Sequence, residues 1–341
     1  MDSSKPDREG PRLITGATLN DVARVAGVSP ITVSRALNQP KLVRPGTLAR
    51  IQQAVRETGY ARNIAAPGSS KLVALILPTV ANPIFTDMVQ AASDKLTEEG
   101  YQLLLGLAGY ELWREEILVE TVLSRRPDGM ILTGTLHSDK TRQRLEAADI
   151  PVVETWDLTP SPIDMLVGFS HEEVGNTVAT RMLAKGYRRF ALLTANDPRA
   201  ERRNQGLQAA LARQGVSVIA SEVVSTLASL QLGRAGTARL LEKHQDIDLI
   251  VCSSDTLAQG ALTEAASRGL RVPDQLAIMG FGDLNFAAHT LPPLSSVHVD
   301  GTAIGALAAQ ALLNRLAQAP GARKETTITD TGFQLVERGS T

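Results

Sequence analysis

Over most of its length the chain alternates short apolar runs with amphipathic stretches. Runs suited to buried strands fall at 72–77, 102–105, 129–132, 151–153, 190–193, 216–219, 249–252 and 276–279. Helical patterns lie between them at 85–99, 111–124, 172–185, 202–214, 230–244, 256–267 and 301–317. Alternation at this spacing predicts parallel sheets covered on both faces, an α/β fold. The two halves have similar layouts, which suggests two α/β subdomains. In such sheets ligands sit beyond the carboxyl ends of the strands.

The start of the chain follows a different pattern. Thr18 followed by Asp21 has capping-box spacing and predicts a helix from Leu19, with Val22, Ala23 and Ala26 on one face. Gly27 suits a left-handed turn, Ser29 an N-cap and Pro30 the first position of a second helix. Val33, Ala36 and Leu37 form the apolar side of that helix, opposite Ile31, Thr32, Ser34, Arg35 and Asn38. Two short helices across a tight glycine turn make either a helix-turn-helix, whose second helix enters a DNA major groove, or an ordinary αα-hairpin with a solvated face. Residues 43–47 lead into a third helix with Leu48, Ile51 and Val55 on its apolar side, ending at Gly59-Tyr60.

The order A-T-L-x-D-V-A-x-x-A-G-V-S-x-x-T-V-S-R-A-L-N, then V-x-x-x-T, then G-Y-x-x-N resembles the headpiece of the LacI family of bacterial repressors. The resemblance implies a helix-turn-helix headpiece at 16–63 and a linker at 64–71. Beyond it comes a periplasmic-binding-protein-like body at 72–341, with a ligand cleft between its subdomains. Its division is expected at about 72–162 plus 293–322 and about 163–292 plus 323–341. Residues 1–15 are polar and carry Pro and Gly, and are expected to be a disordered lead. Relatives carry a short hinge helix with a leucine in the linker. Here Pro67 and Gly68 occupy that stretch and the leucine is absent.

Charge agrees with this division. Net charge is only −1, but residues 1–63 hold ten Lys/Arg against five Asp/Glu, leaving 25 against 31 for the rest. A basic head on an acidic body fits a phosphate-contacting module joined to something else. The single cysteine, Cys252, excludes an internal disulfide and lies in an apolar run, as a buried inert thiol does. No charged-then-apolar leader opens the chain and no apolar run is long enough to span a bilayer, so a cytoplasmic location without membrane contact is expected.

The resemblance also nominates residues. Thr18, Pro30, Ile31, Thr32, Ser34, Arg35, Asn38, Thr47, Tyr60 and Asn63 are the expected DNA contacts, with Ile31 suited to a thymine methyl. For the effector, the P-x-x-x-N-P-x-F segment at 78–85 points to Ile84 and Phe85. The strand end at 133–135 offers Thr133 and Thr135, and R-x-x-G offers Arg203. The stretch 253–260 resembles A-N-D-x-x-A-x-G and points to Ser254 and Asp255, with Asp255 capping the next helix. G-F-G-D at 280–283 points to Phe281 and Asp283. Leu107-Ala108 replaces a polar pair and is expected to make one wall more apolar. Gly282 replaces an acidic contact, which favours an anionic ligand. The G-F-G-D form resembles the gluconate-utilisation branch of the family, so gluconate or another sugar acid is the expected effector. Arg203 would hold it by a fork of donors.

Enzymatic readings fare poorly. The first strand of the body ends without a glycine-rich turn, 280–282 lacks a third glycine at dinucleotide spacing, and no G-x-S-x-G occurs. The five histidines are scattered without zinc spacing, so neither metal nor cofactor is expected. The expected function is an effector-controlled repressor acting as a homodimer on operator DNA. The alternative is a sugar-acid sensor with weak or no DNA output because of its altered linker. A body of this kind acting as a pure sugar-binding protein is disfavoured by the basic headpiece.

Overall fold

The computed structural model of the chain describes residues 19–38, 42–58, 70–318 and 325–341. It divides into two units, residues 1–70 and residues 71–341.

The first unit holds α1 (Leu19–Ala26), α2 (Pro30–Asn38) and α3 (Pro45–Thr58). Gly27 takes a φ of +65°, which an L side chain adopts only with strain, and turns the chain between α1 and α2. The Ser29 hydroxyl accepts from the Thr32 amide at 3.2 Å, capping α2 as expected. Val22, Ala23, Ala26, Val33, Ala36, Ile51 and Ala54 are buried together as the core of the three helices. The third helix opens on Pro45, earlier than its apolar side implies, because a proline at the first helical position forgoes no intrahelical bond. Thr18, Gly59, Tyr60 and Asn63, the 1–15 lead and the Pro67-Gly68 stretch lie outside the described residues.

The body is built on two parallel sheets. The first has the order β11-β5-β4-β3-β1-β2. Its members are β1 (Leu72–Leu77), β2 (Gln102–Leu107), β3 (Gly129–Thr133), β4 (Val152–Thr155), β5 (Met165–Gly168) and β11 (Thr327–Asp330). The second has the order β7-β6-β8-β9, from β6 (Phe190–Ala195), β7 (Val218–Val224), β8 (Leu249–Cys252) and β9 (Ala277–Met279). A separate antiparallel pair joins β10 (Ser296–His298) to β12 (Gln334–Val336). The strands that read as continuous apolar runs are the buried ones: Val73 to Leu77 of β1 are all inaccessible, as a strand covered by helices on both faces must be.

Helices α4 (Thr86–Glu98), α5 (Leu112–Leu123), α6 (Asp139–Ala147) and α7 (His171–Ala184) follow the first strands. α8 (Pro198–Arg213), α9 (Leu230–Lys243), α10 (Asp255–Ser267) and α11 (Gly301–Leu316) complete the set. α7 and α8 meet at glycines. A Cβ at Gly175 would overlap the Arg203 carbonyl, and one at Gly206 the Glu172 carbonyl.

Pairing corrects the expected partition at two places. β5 falls beyond the expected break after residue 162, yet Val153 of β4 pairs with Met165, which adds β5 to the first sheet. β11 was expected with the second subdomain but pairs in parallel with β5, Thr327 against Met165. β5 is only four residues long, and β11 is exposed along its length and shows no apolar run. α6 also escaped the pattern, since only Thr141 and Leu145 are buried along it. The expected 216–219 strand lies at Val218–Val224, extended through partly exposed positions.

Candidate functional site

In the first unit α2 presents Ile31, 72% exposed, and the exposed Arg35 on the side away from the core. An isoleucine this open beside an arginine gives the unit no packing benefit and suits a groove-reading surface. The Thr32 hydroxyl lies 2.8 Å from that of Ser29, Ser34 is half-buried, and Pro30 is exposed at the start of the helix. Thr47 lies in the first turn of α3, where its amide donates to the Arg44 carbonyl at 3.0 Å. Asn38 ends α2, and its side chain is outside the described residues, as are Thr18, Tyr60 and Asn63.

In the body, the carboxyl ends of the two sheets enclose a cleft of about 590 Å³. From the first sheet come Asn82, Ile84 and Phe85 after β1, Tyr110 after β2 and Trp156 after β4. From the second come Asp197, Arg199 and Arg203 after β6, Ser253 and Ser254 after β8, and Phe281 after β9. Five of the expected effector residues, Ile84, Phe85, Arg203, Ser254 and Phe281, therefore line one cavity although they span 198 positions of sequence, from 84 to 281.

Arg203 is held on three sides. Its guanidinium stacks 3.7 Å from the centroid of the Phe281 ring. One terminal nitrogen donates to the Ser253 carbonyl at 3.0 Å, and the other lies 3.0 Å from Nδ1 of His171. Nε2 of His171 is 2.9 Å from the Trp156 carbonyl, which can only accept. That bond places the imidazole proton on Nε2 and leaves Nδ1 to accept from Arg203. Burial, then the charges of Arg203 and Arg199, push His171 well below the ordinary histidine range, so it is neutral at physiological pH. Burial also lowers Arg203 to about 10, which still leaves it charged. Trp156 holds a φ of +67°, costly for a bulky residue, and its indole donates to the Met88 sulfur at 2.7 Å. Edge contacts run from Phe85 to Trp156, Phe169 and His171 at 4.7–5.9 Å between centroids.

Arg199 enters the cleft as well, with a side chain only 13% exposed. Its Nε donates to Asp197 at 3.4 Å, while Nη1 is buried without a hydrogen-bond partner. Of the arginines at 199, 202 and 203, the sequence motifs nominate Arg203 alone. The difference arises because Asp197 caps α8 and accepts from the Arg199 amide at 2.9 Å, which turns the first turn of that helix into the cleft. Arg202 instead donates to Asp157 at 2.6 Å.

Four expected contacts lie elsewhere, and so does the wall pair. Thr133 and Thr135 line a neighbouring compartment that shares Tyr110, Asp197 and Arg199 with the cleft. Asp255 is wholly inaccessible and does not cap α10; the Ser254 hydroxyl does, accepting from the Leu257 amide at 3.3 Å. The Asp255 carboxylate accepts from the Leu284 amide at 2.7 Å and the Ser296 hydroxyl at 2.6 Å, tying the first residue of α10 to the segment after β9 and to β10. Burial raises its pKa to about 6. Asp283 accepts from Arg338 at 2.6 Å and lies 3.3 Å from His298, so it braces the chain end rather than facing the cleft. Leu107 and Ala108 line neither compartment; Tyr110 supplies that wall. Gly282, at φ +122°, lies where a Cβ would come within 3.3 Å of Ile84, so its smallness is felt at the cleft lining. Cys252 is buried and its thiol is pushed up by burial, as expected of an inert cysteine. Among the described residues no group of His, Cys, Asp and Glu is arranged to hold a metal, and no helix is long and apolar enough to cross a membrane.

A helix-turn-helix unit on one chain with a body whose two parallel sheets close on an arginine-lined cleft defines a DNA-binding regulator carrying a periplasmic-binding-protein-like sensor. Residues 18–63 match the bacterial regulatory proteins of the lacI family, and residues 179–341 match the periplasmic binding protein-like domain. The chain is 37% identical to the HTH-type transcriptional regulator GntR of Pseudomonas aeruginosa, over 95% of each sequence. A LacI-family transcriptional regulator from Silicibacter pomeroyi shares its structure with a TM-score of 0.82 at 32% identity, over 95% of this chain and 99% of that one. The lac repressor dimer bound to operator and the anti-inducer ONPF gives a TM-score of 0.74 at 25% identity, over 96% and 99%. The chain belongs to the LacI family of bacterial transcriptional regulators.

Proposed function

We propose that the protein is a cytoplasmic, non-enzymatic repressor that binds operator DNA as a homodimer and is controlled by a sugar acid, with gluconate as the leading candidate. The observation that carries the effector class is Arg203. Its guanidinium is half-buried, charged, stacked on Phe281 and oriented by a neutral histidine, with Arg199 beside it. Two cations around one small cavity, against the single lining carboxylate of Asp197, favour an anion. The hydroxyl of Ser254 and the apolar faces of Phe85, Trp156 and Phe281 suit a hydroxylated carbon chain. The G-F-G-D stretch supports the gluconate assignment by its resemblance to that branch.

Pro30, Ile31, Thr32, Ser34 and Arg35 of α2 are the proposed groove contacts. Thr18, Asn38, Thr47, Tyr60 and Asn63 are the proposed backbone contacts. Two-fold operators call for two headpieces, hence a dimer. Exposed Leu105 and Leu107 on the edge strand β2, with Trp113 and Ile117 on α5, form the kind of apolar face a second copy covers.

Fluorescence anisotropy on operator fragments selected from the host genome, with and without gluconate, tests the proposal. Binding that gluconate alters supports both parts. Binding that ignores gluconate overturns the effector assignment. Absence of DNA binding by a folded, gluconate-binding protein overturns the repressor assignment. Arg203→Ala should lose the effector response and keep DNA binding.

A further inference from the structure

We infer that the cleft is bipolar. Beside its arginine end, a second compartment takes the hydroxyl-bearing tail of the effector and turns away tails that carry another negative charge. The inference rests on the sugar-acid reading above. It concerns the neighbouring compartment, about 540 Å³ and joined to the cleft through Tyr110, Asp197 and Arg199, which line both.

The two ends differ in what they offer. The second compartment is lined by Glu111, Glu115, Asp157 and Asp197, whose ionised oxygens only accept hydrogen bonds. Of the cations around them, two are engaged and Arg199 is engaged through one nitrogen. Arg202 donates to Asp157 at 2.6 Å, His137 lies 2.7 Å from Glu115, and Nε of Arg199 reaches Asp197 at 3.4 Å. The wall therefore asks for donors. A hydroxyl supplies one and can accept another, whereas a phosphate or second carboxylate supplies none and meets like charge.

Two polar atoms point the same way. The Thr133 hydroxyl, in the acid-lined compartment, and Nη1 of Arg199, at the junction, are both buried without a hydrogen-bond partner. Groups in that condition are costly to leave unpaired. One occupant reaching from the arginine end into the second compartment would satisfy both. Glu111 is the N-cap residue of α5 yet makes no capping bond with its side chain, so its carboxylate is not committed to the helix. Tyr110, at the junction, is held above the ordinary phenol range by burial and then by the Asp197 charge, so it stays a neutral hydroxyl there.

Calorimetric titration of the full chain with D-gluconate, 6-phosphogluconate and D-glucarate tests this. Gluconate should bind at least about ten-fold more tightly than either terminally anionic analogue, as expected of like charge held at close quarters. Thr133→Val removes a hydroxyl that makes no bond in the protein, so its melting temperature should hold while gluconate affinity falls about three- to ten-fold. If that variant is less stable, Thr133→Ser, which keeps the hydroxyl, should restore the affinity. Glu111→Gln should narrow the discrimination. Equal affinity for gluconate and 6-phosphogluconate, or unchanged gluconate affinity in Thr133→Val, would overturn the inference and leave the sugar-acid reading in place. No binding of any of the three to the unaltered protein would remove that reading itself.

Discussion

Replacing His171 by leucine tests how the cleft holds its arginine. The imidazole is 2% exposed, so leucine fills most of its space without admitting water. What disappears is a two-sided bridge: the donor to the Trp156 carbonyl at 2.9 Å and the acceptor for Arg203 at 3.0 Å. Each group left buried and unpaired costs about 1–3 kcal/mol, so the variant should lose roughly 2–6 kcal/mol of stability. Urea unfolding followed by tryptophan fluorescence reads this as a lower midpoint with an unchanged slope. Arg203, left with Ser253 and Phe281, should also lose its fixed orientation, and gluconate affinity should fall at least ten-fold. The pH dependence adds a signature. His171 is depressed in the folded state, so below about pH 6.5 the unfolded chain binds a proton that the folded one refuses. Stability contributed in this way is present above pH 6.5 and lost as pH falls below it. The leucine variant should lose that acid-side slope. A variant with unchanged midpoint, affinity and slope would refute the claim that His171 positions Arg203.

Other consequences can be checked directly. Arg35→Ala should weaken operator binding several-fold or more and lower the salt dependence of binding, read by anisotropy across a salt titration. Gly206→Ala places a Cβ against the Glu172 carbonyl of α7. Parting α7 from α8 should cost about 1–3 kcal/mol in urea unfolding and displace Arg203, three residues away, with a parallel loss of effector affinity. His137 is held at about 9 because Glu115 and Glu154 outweigh the burial that would lower it. Its contribution, on the order of 3 kcal/mol, is complete below pH 6.5 and lost as pH rises through 9, so melting temperature should fall over that window and His137→Gln should flatten the fall.

What the sequence reveals and what it hides divide along a physical line. The helix-turn-helix was legible because its determinants are local: the Ser29 cap, the Gly27 turn and the apolar faces of three short helices lie within forty residues. The body's alternation was legible because buried parallel strands need unbroken apolar runs. β5 and β11 fail that test. One is a four-residue segment, and the other is an exposed edge strand stabilised by its pairing with β5 rather than by its own burial. At the cleft, motif resemblance pointed to the arginine and the aromatic it stacks on. It did not point to Arg199, Tyr110, Trp156 and His171, which the fold brings beside them although nothing in their neighbours' spacing marks them.

His171 shows why those residues stay hidden. Its chemistry is set by a carbonyl fifteen residues upstream and a guanidinium thirty-two residues downstream. The Trp156 carbonyl lies just past the end of β4 in the first sheet, while Arg203 also bonds Ser253, just past the end of β8 in the second. The bridge Trp156–His171–Arg203–Ser253 thus runs from one sheet to the other across the cleft floor. Each link uses a group that would be unpaired without the next, so a ligand that draws the Arg203 guanidinium toward itself must strain bonds to both sheets. Differential contact of this kind between ligand-free and ligand-bound states is what a regulator needs if a small molecule is to alter its affinity for DNA. Asp255 and Asp283, which the motifs also single out, act on the same scaffold from outside the cavity. Asp255 pins Leu284 and Ser296, and Asp283 pins Arg338, so both acids tie the segments after β9 and around β10 without lining the cleft.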